Sequence, residues 1–159
     1  MAMRLERKIY RRCIERGWTV AVAESCTGGL ISHRLTNVAG ASRYFLLAAV
    51  AYSYASKERL LRVPHRVLIR HGAVSRPVVL AMARGVRRAA RATIGVAVTG
   101  IAGPGGGLPH KPVGTVWIAV ATAARARAFR HHFTGSRLAI KQRAASAALQ
   151  HLRAALHRG

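Results

Sequence analysis

Apolar runs typical of buried strands alternate with helical segments along this chain, and this alternation restricts the fold more than any other feature. The runs 19–23, 45–54 and 94–98 are each flanked by segments with helical spacing, and we expect 45–54 to be a central strand. A short basic segment joins the runs 113–122 and 128–133, which favours a hairpin. Strands that alternate with helices pack as one sheet with helices on both sides. The sequence therefore predicts an α/β fold, a three-layer α/β/α sandwich with a mixed sheet.

The helical segments follow from apolar spacing and from residues that begin or end helices. The predicted helices or helical turns cover residues 4–16, about 27–37, 56–61, 76–91 and 136–157. Ser75 is the expected N-cap of the fourth, and Pro64 stops the third. The last helix is expected to bury one face, formed by Leu138, Ala145, Leu149, Leu152 and Leu156. A chain of 159 residues can bury its own core, so we predict a single domain over residues 1–159.

Charge excludes several kinds of chemistry. The chain has 27 Lys and Arg residues against four Glu and no Asp, which gives a net charge of +23. Without Asp there can be no Ser-His-Asp triad, aspartyl nucleophile or Asp-held magnesium in this chain. The eight histidines are scattered, and the two cysteines, Cys13 and Cys26, lack metal-ligand spacing. We therefore expect no metal, no other cofactor and no disulfide.

One basic stripe is a candidate for binding nucleic acid. Its members, Arg84, Arg87, Arg88 and Arg91, repeat at helical spacing. However, positive charge is spread over the whole chain, with few aromatic residues between the cations to stack on bases. A solvated arginine face is therefore the favoured interpretation, and weak nucleic-acid binding through these four residues is the alternative.

The same sequence gives expectations about location and assembly. No apolar stretch approaches the ~20 residues of a membrane helix, and the first residues lead into a charged segment without an apolar secretory region. We therefore expect a cytoplasmic protein with no membrane partner. We also expect a homo-oligomer, with the number of subunits left open.

Ser25 is the first candidate nucleophile. It follows a predicted strand and precedes a helix, where its side chain would be exposed beside unpaired backbone N–H groups. The local pattern taken alone favours an N-cap serine instead. A nucleophilic serine needs a base, and with Asp absent a neutral lysine is the economical choice. The four lysines are Lys8, Lys57, Lys111 and Lys141. Lys57 follows an aromatic strand end and could be partly buried there.

Five ordered motifs carry a resemblance to a known family. They are Ala23-Glu24-Ser25-Cys26-Thr27-Gly28-Gly29, Tyr52-Ser53 through Lys57, Gly72-Ala73-Val74-Ser75, Thr99-Gly100-Ile101-Ala102-Gly103-Pro104 with Gly106-Gly107, and Lys111-Pro112-Val113-Gly114-Thr115-Val116. In this order they resemble the CinA C-terminal domain family of nicotinamide-nucleotide amidases, over roughly residues 8–155. Five motifs in order are far more specific than one.

The resemblance implies an enzyme that deamidates nicotinamide mononucleotide in pyridine-nucleotide salvage. It implies Ser25 as nucleophile, Lys57 as base and Tyr52 as a third catalytic residue. The residues expected to bind substrate are Glu24, Thr27, Gly28, Gly29, Thr99, Gly100 and Arg137. Backbone N–H groups of 26–29 or 100–107 would stabilise the oxyanion, and Arg137 could bind the 5′-phosphate.

Some alternatives remain open at this stage. This chain has Tyr54-Ala55 where the family often has Asn-Glu, and Gly105 where an acidic residue is common. Glu24 is equally compatible with a charge at a helix N-terminus and with a residue that orients Ser25 or contacts ribose. Cys26 could replace Ser25 as nucleophile. The competing class is a non-catalytic nucleotide- or nucleic-acid-binding relative.

Overall fold

The computed structural model describes residues 4–158, and five strands at its centre form one mixed sheet. The strands are β1 (Val20–Glu24), β2 (Phe45–Val50), β3 (Ile94–Gly100), β4 (Thr115–Ala121) and β5 (Ala126–His132). The helices are α1 (Arg4–Arg16), α2 (Leu30–Thr36), α3 (Tyr54–Leu61), α4 (His65–His71), α5 (Arg76–Ala90) and α6 (Arg137–Arg158), with a 3₁₀ turn at Ala41–Arg43. The predicted α/β fold is confirmed.

The strand order is β2-β1-β3-β4-β5. β1 runs parallel to both of its neighbours, with Val22 opposite Ala48 of β2 and Val96 of β3. β4 runs antiparallel to β3 and to β5, which confirms the predicted hairpin. The sheet is therefore mixed, and its parallel half carries the crossover helices.

Helices cover both faces of the sheet. On one face, Val22, Val96 and Ile118 pack into a core with α1, α2 and α6. On the other face, the buried strand side chains are mainly alanines, which pack with buried residues of α3, α4 and α5. Small side chains allow close approach: a Cβ on Gly95 would lie 2.2 Å from the Ala83 carbonyl oxygen of α5. The three-layer prediction is confirmed.

The prediction that 45–54 is a central strand is wrong. β2 lies at the sheet edge and ends at Val50, and Tyr54 already belongs to α3. Its side chains alternate between half-buried and exposed, with Leu46 and Val50 each 47% exposed. An apolar run does not reveal whether one or two neighbouring strands will pair with it.

Several helix details also differ from the prediction. Ser75 occupies the N-cap position of α5, but its hydroxyl donates to the Gly72 carbonyl instead of accepting from the helix. Leu138 is 61% exposed, whereas the other four predicted residues of the α6 face, Ala145, Leu149, Leu152 and Leu156, are buried. Leu138 lies in the first turn of α6, before the helix reaches the sheet.

The arginine stripe is only partly formed. α5 ends at Ala90, so Arg91 lies outside the helix in a left-handed conformation. Arg87 is half-buried and donates to the Ala92 carbonyl at 3.4 Å. Arg84 and Arg88 remain exposed on α5. The helix therefore presents two of the four predicted arginines fully to solvent.

Among residues 4–158, no helix combines the length and apolarity needed to cross a bilayer. The cytoplasmic location and the homo-oligomer stay predictions.

Candidate active site

The candidate site lies where the parallel strands β1 and β3 end. Ser25 follows β1 directly, and its N–H donates to the Val98 carbonyl of β3 at 3.1 Å. The chain leaves β1 toward β2 on one side, while β3 lies on the other side. Such a switch point opens a crevice at the carboxyl ends of the strands, which is where open α/β sheets bind ligands.

Ser25 and Lys57 are in direct contact. The Lys57 ammonium nitrogen, Nζ, lies 3.1 Å from Ser25 Oγ. The same nitrogen lies 2.8 Å from the Ala51 carbonyl oxygen and 3.2 Å from the Tyr52 carbonyl oxygen. Lys57 is 1% exposed and Ser25 8% exposed. The structure thus brings together the two residues that the sequence singled out as nucleophile and base.

The start of α3 explains how a lysine comes to be buried here. Ser53 caps the helix because its hydroxyl oxygen accepts from the Ser56 N–H at 3.0 Å. The Ser56 hydroxyl oxygen in turn accepts from the Ser53 N–H. Long side chains on a helix lean toward its N-terminus, which directs Lys57 back over the carbonyls of residues 51 and 52. Leu61, one turn later on the same helix face, is also buried.

Burial lowers the pKa of Lys57 from 10.5 to about 8. The cause is desolvation, which penalises the charged amine because water can no longer solvate it. A neutral amine has two N–H groups and one lone pair. The Ala51 and Tyr52 carbonyls can accept from the two N–H groups, which leaves the lone pair for the Ser25 hydroxyl. This arrangement suits a base that takes a proton from Ser25.

Glu24 organises the turn that follows Ser25. Its carboxylate is fully buried and accepts from the hydroxyl of Thr27 at 2.6 Å and from the N–H groups of Gly29 and Ile31 at 3.0 and 3.1 Å. Ser32 adds bonds from its N–H and its hydroxyl. Both oxygens are thus engaged with the first turn of α2. These contacts support the interpretation of Glu24 as a charge at the helix N-terminus. The Thr27 hydroxyl, which was expected to bind substrate, donates to Glu24 in this structure.

Arg137 joins three segments at the rim of the site. Its guanidinium donates to the Gly103 carbonyl at 2.7 Å and to the Tyr52 hydroxyl at 3.0 Å. The Tyr52 side chain is 58% exposed, so its ring forms part of the protein surface, while its carbonyl oxygen contacts Lys57 Nζ. Arg137 therefore holds Tyr52 beside the glycine-rich loop that follows β3.

Thr99 and Gly100 are the last residues of β3, directly before that loop. The Thr99 hydroxyl is buried and donates to the Ala73 carbonyl at 3.0 Å. A Cβ on Gly100 would lie 2.7 Å from a methyl of Val116 and 3.0 Å from Cys26 Sγ. Packing is therefore tight at the end of β3, and only a residue without a side chain fits there.

Cys26 is poorly suited to act as nucleophile. It is 4% exposed, and burial raises the pKa of its thiol to about 12. The thiolate is the reactive form of cysteine, so a protonated buried thiol is inert. Both Cys13 and Cys26 are free thiols.

Sequence reasoning missed one charged residue near the site. Lys141 of α6 places its Nζ 3.6 Å from the position that a Cβ on Gly28 would occupy. Only its spacing of four residues from Arg137, which puts both on one helix face, could have indicated it. Gly28 and Gly29 both have positive φ, at 60° and 100°, as the tight turn after Ser25 requires.

Within residues 4–158, no cluster of three or more His, Cys or Glu side chains is placed to hold a metal ion.

Fold and site together define a single α/β sandwich with a buried serine and lysine in contact at a switch point of its sheet. Residues 2–156 match the family model of the CinA C-terminal domain. The chain belongs to the CinA family through this domain.

Relatives and solved structures agree with this assignment. The chain is 52% identical over 145 residues to a CinA-like protein of Syntrophobacter fumaroxidans, and 51% identical over 141 residues to one of Salinibacter ruber. These matches cover 91% and 89% of this chain but only 34% of each relative, so the chain spans about a third of their length.

Two crystal structures show the same fold. A competence-damaged protein (CinA) superfamily protein from Klebsiella pneumoniae superposes with a TM-score of 0.95 at 33% identity, covering 100% of this chain and 99% of that one. The competence/damage inducible protein CihA from Agrobacterium tumefaciens gives 0.94 at 39% identity, covering 98% and 95%.

Proposed function

We propose that this protein is a nicotinamide-nucleotide amidase, which hydrolyses the carboxamide of nicotinamide mononucleotide to nicotinate mononucleotide and ammonia. The observation that carries the proposal is the 3.1 Å contact between Lys57 Nζ and Ser25 Oγ. Lys57 is buried with a pKa of about 8, so a useful fraction of it is neutral near physiological pH. Burying a lysine also destabilises the folded state, and a purely structural role for Lys57 does not explain why the protein tolerates this loss.

Acylation begins with proton transfer from Ser25 to Lys57. Ser25 Oγ attacks the carboxamide carbon, and the electron pair of the C=O bond moves onto oxygen to give a tetrahedral oxyanion. The protonated Lys57 then gives its proton to the amide nitrogen. The C–N bond breaks, ammonia leaves and an ester to Ser25 remains.

Deacylation repeats the sequence with water. Lys57 takes a proton from water as the water oxygen attacks the ester carbon. The C–O bond to Ser25 breaks, and the proton returns from Lys57 to Oγ. Nicotinate mononucleotide leaves as the carboxylate, its acid proton passing to solvent. The two steps consume one water and need no metal, oxidant or reductant.

We assign the oxyanion to the backbone of the turn after Ser25. The N–H groups of Gly28 and Gly29 already donate, to the Ser25 carbonyl and the Glu24 carboxylate. Within residues 4–158, the Thr27 N–H has no hydrogen-bond acceptor, and the Cys26 N–H interacts only with the sulfur of its own side chain. These two N–H groups directly follow the nucleophile, which is the usual place for an oxyanion hole.

Tyr52 and the overall charge serve substrate binding in this proposal. The pyridine ring of the substrate is a cation, and an aromatic face such as that of Tyr52 attracts cations by about 0.5–1 kcal/mol at an exposed position. The net charge of +23 draws the phosphate-bearing substrate toward the protein.

Ammonia release from nicotinamide mononucleotide, without added metal, tests the proposal. We expect the wild type to release ammonia, and Ser25→Ala and Lys57→Met to lower kcat/KM by about 10³-fold or more. Lys8→Met, which removes an exposed lysine from α1, is the matched control and should behave like the wild type. Unfolding midpoints confirm that each variant folds. A folded Lys57→Met protein with near-wild-type rates would remove Lys57 from the mechanism.

The competing hypothesis is a non-catalytic protein that binds nucleic acid through Arg84, Arg87, Arg88 and Arg91. The half-buried position of Arg87 and the location of Arg91 beyond α5 reduce its support. A gel shift that weakens steeply with salt, together with no ammonia release, would favour this hypothesis instead.

A further inference from the structure

We propose that Lys141 binds the 5′-phosphate of the substrate, and that Arg137 positions Tyr52 and the glycine-rich loop instead. This inference rests on the proposed amidase function, because it assigns one group of that substrate to one side chain. The turn that follows Ser25 would then carry a binding site for a phosphate monoester.

The position of Lys141 is the first support. Its Nζ lies 3.6 Å from where a Cβ of Gly28 would be, and Gly28 is exposed. The Gly28 N–H donates to the Ser25 carbonyl, which closes a turn whose end Cα atoms are within about 7 Å of each other. Lys141 therefore lies beside the turn that carries Ser25.

The positive charge of Lys141 acts on Cys26, the residue that follows Ser25. The ammonium groups of Lys57 and Lys141 both favour the thiolate of Cys26, the residue between Ser25 and Thr27, although desolvation dominates the pKa of that thiol. The positive end of Lys141 is thus close to the crevice and not directed into bulk solvent.

Lys141 is also unengaged, whereas Arg137 is not. Among residues 4–158, Lys141 Nζ has no hydrogen-bond or ion-pair partner. Both terminal nitrogens of Arg137 already donate, to the Tyr52 hydroxyl and the Gly103 carbonyl. Three further N–H groups of Arg137 remain, but its two bonds fix the orientation of the guanidinium, whereas the ammonium of Lys141 can turn toward a phosphate without losing any bond.

Within the described residues 4–158, no carboxylate pairs with Lys141. The four acidic residues are occupied elsewhere: Glu6 pairs with Arg34, Glu15 with Arg12, Glu58 with His65, and Glu24 with the first turn of α2. An ammonium without a counter-ion beside an exposed glycine turn suits a dianionic phosphate. The site would therefore discriminate a nucleotide from the corresponding nucleoside.

The test compares two substrates that share the scissile amide. Nicotinamide mononucleotide carries the phosphate, and nicotinamide riboside lacks it. We expect the ratio of their kcat/KM values to fall about 10- to 100-fold in Lys141→Met and to be largely retained in Lys141→Arg. Lys8→Met, which removes one positive charge elsewhere, should keep the wild-type ratio. An unchanged ratio in Lys141→Met would overturn the inference.

A second measurement separates this inference from the amidase proposal. Calorimetry with ribose 5-phosphate and with ribose needs no turnover. We expect the wild type to bind the phosphate sugar at least tenfold more tightly than Lys141→Met does, with ribose bound equally weakly by both. If this difference appears but no ammonia is released, the phosphate site stands and the amidase proposal fails. Equal binding of ribose 5-phosphate by both proteins would refute the role of Lys141.

Discussion

Lys57 shows how one side chain can be tuned by its surroundings. It has no carboxylate partner, and its three close contacts are two carbonyl oxygens and a hydroxyl. Carbonyls can hold either form of the amine, so burial decides the balance and lowers the pKa to about 8. The lysine is thereby matched to proton transfer near neutral pH.

The pH dependence of activity follows from this pKa. In the proposed mechanism neutral Lys57 is the active form, so kcat/KM should rise about tenfold per pH unit below the pKa and level off above about pH 8. The profile between pH 6 and 9.5, measured as ammonia release, checks this. A histidine-like inflection near pH 6.5, or a flat profile, would contradict Lys57 as the base.

At the residue scale, the sequence singled out Ser25 and Lys57, which the structure places in contact, but it did not predict all of their surroundings. Ser25 and Lys57 are identified by motifs that lie near each other in the chain. The sequence indicated that Lys57 could be partly buried, but its complete burial and the position of Lys141 depend on packing between distant segments and needed the structure. The hydrogen bond from the Ser32 N–H to Glu24 could not be predicted from the sequence either, because it too depends on how the segments pack.

At the scale of elements, α2 depends on a carboxylate from the strand before it. Gly29, at the N-cap of α2, has no side chain to accept from the helix. Glu24, at the end of β1, accepts instead from the N–H groups of residues 29, 31 and 32. A charge at this end also suits the helix dipole. Strand and helix are thus tied together on either side of Ser25.

Neutralising this carboxylate should loosen the helix start. We expect Glu24→Gln to lower the free energy of unfolding by about 1.5–3 kcal/mol, because it weakens charge-assisted bonds and forces an amide N–H against donors. Glu15→Gln, which breaks an exposed pair with Arg12, should cost under about 1 kcal/mol. Urea denaturation measures both. Equal losses of unfolding free energy in the two variants would show that Glu24 does not link β1 to α2 as described.

The sequence predicted most elements because their apolar patterns are local. The structure confirms α1 over the predicted residues, and β4 and β5 form the predicted hairpin. It adds α4, a helix of seven residues that is too short to show a clear period. The edge position of β2 was not predictable, since strand order is set by contacts between helices and sheet rather than by the strand itself.

For the whole molecule, charge is the dominant feature. The 27 Lys and Arg residues greatly outnumber the four Glu residues, each of which already has a partner within the fold. Most of the positive charge therefore has no carboxylate to balance it. Repulsion among these cations destabilises the compact state.

Screening should relieve this repulsion. We expect added NaCl, from about 10 mM to about 0.5 M, to raise the unfolding midpoint by a few degrees, on the order of 1 kcal/mol, because the Debye length shortens from ~30 Å to well under 10 Å. Thermal unfolding followed by circular dichroism measures the shift. A neutral osmolyte at matched osmolality controls for general solvent effects. A midpoint that falls or stays constant with NaCl would contradict net repulsion.

The bonds of Arg137 affect the order in which the site is completed during synthesis. Ser25 and Lys57 are 32 residues apart in the chain, whereas Arg137 reaches back 34 residues to Gly103 and 85 residues to Tyr52. Domains emerge from the ribosome N-terminal end first. Ser25 and Lys57 are therefore translated before Arg137, which arrives only with α6. The contacts of Arg137 with Tyr52 and Gly103 consequently form only after Ser25, Tyr52 and Lys57 have been translated.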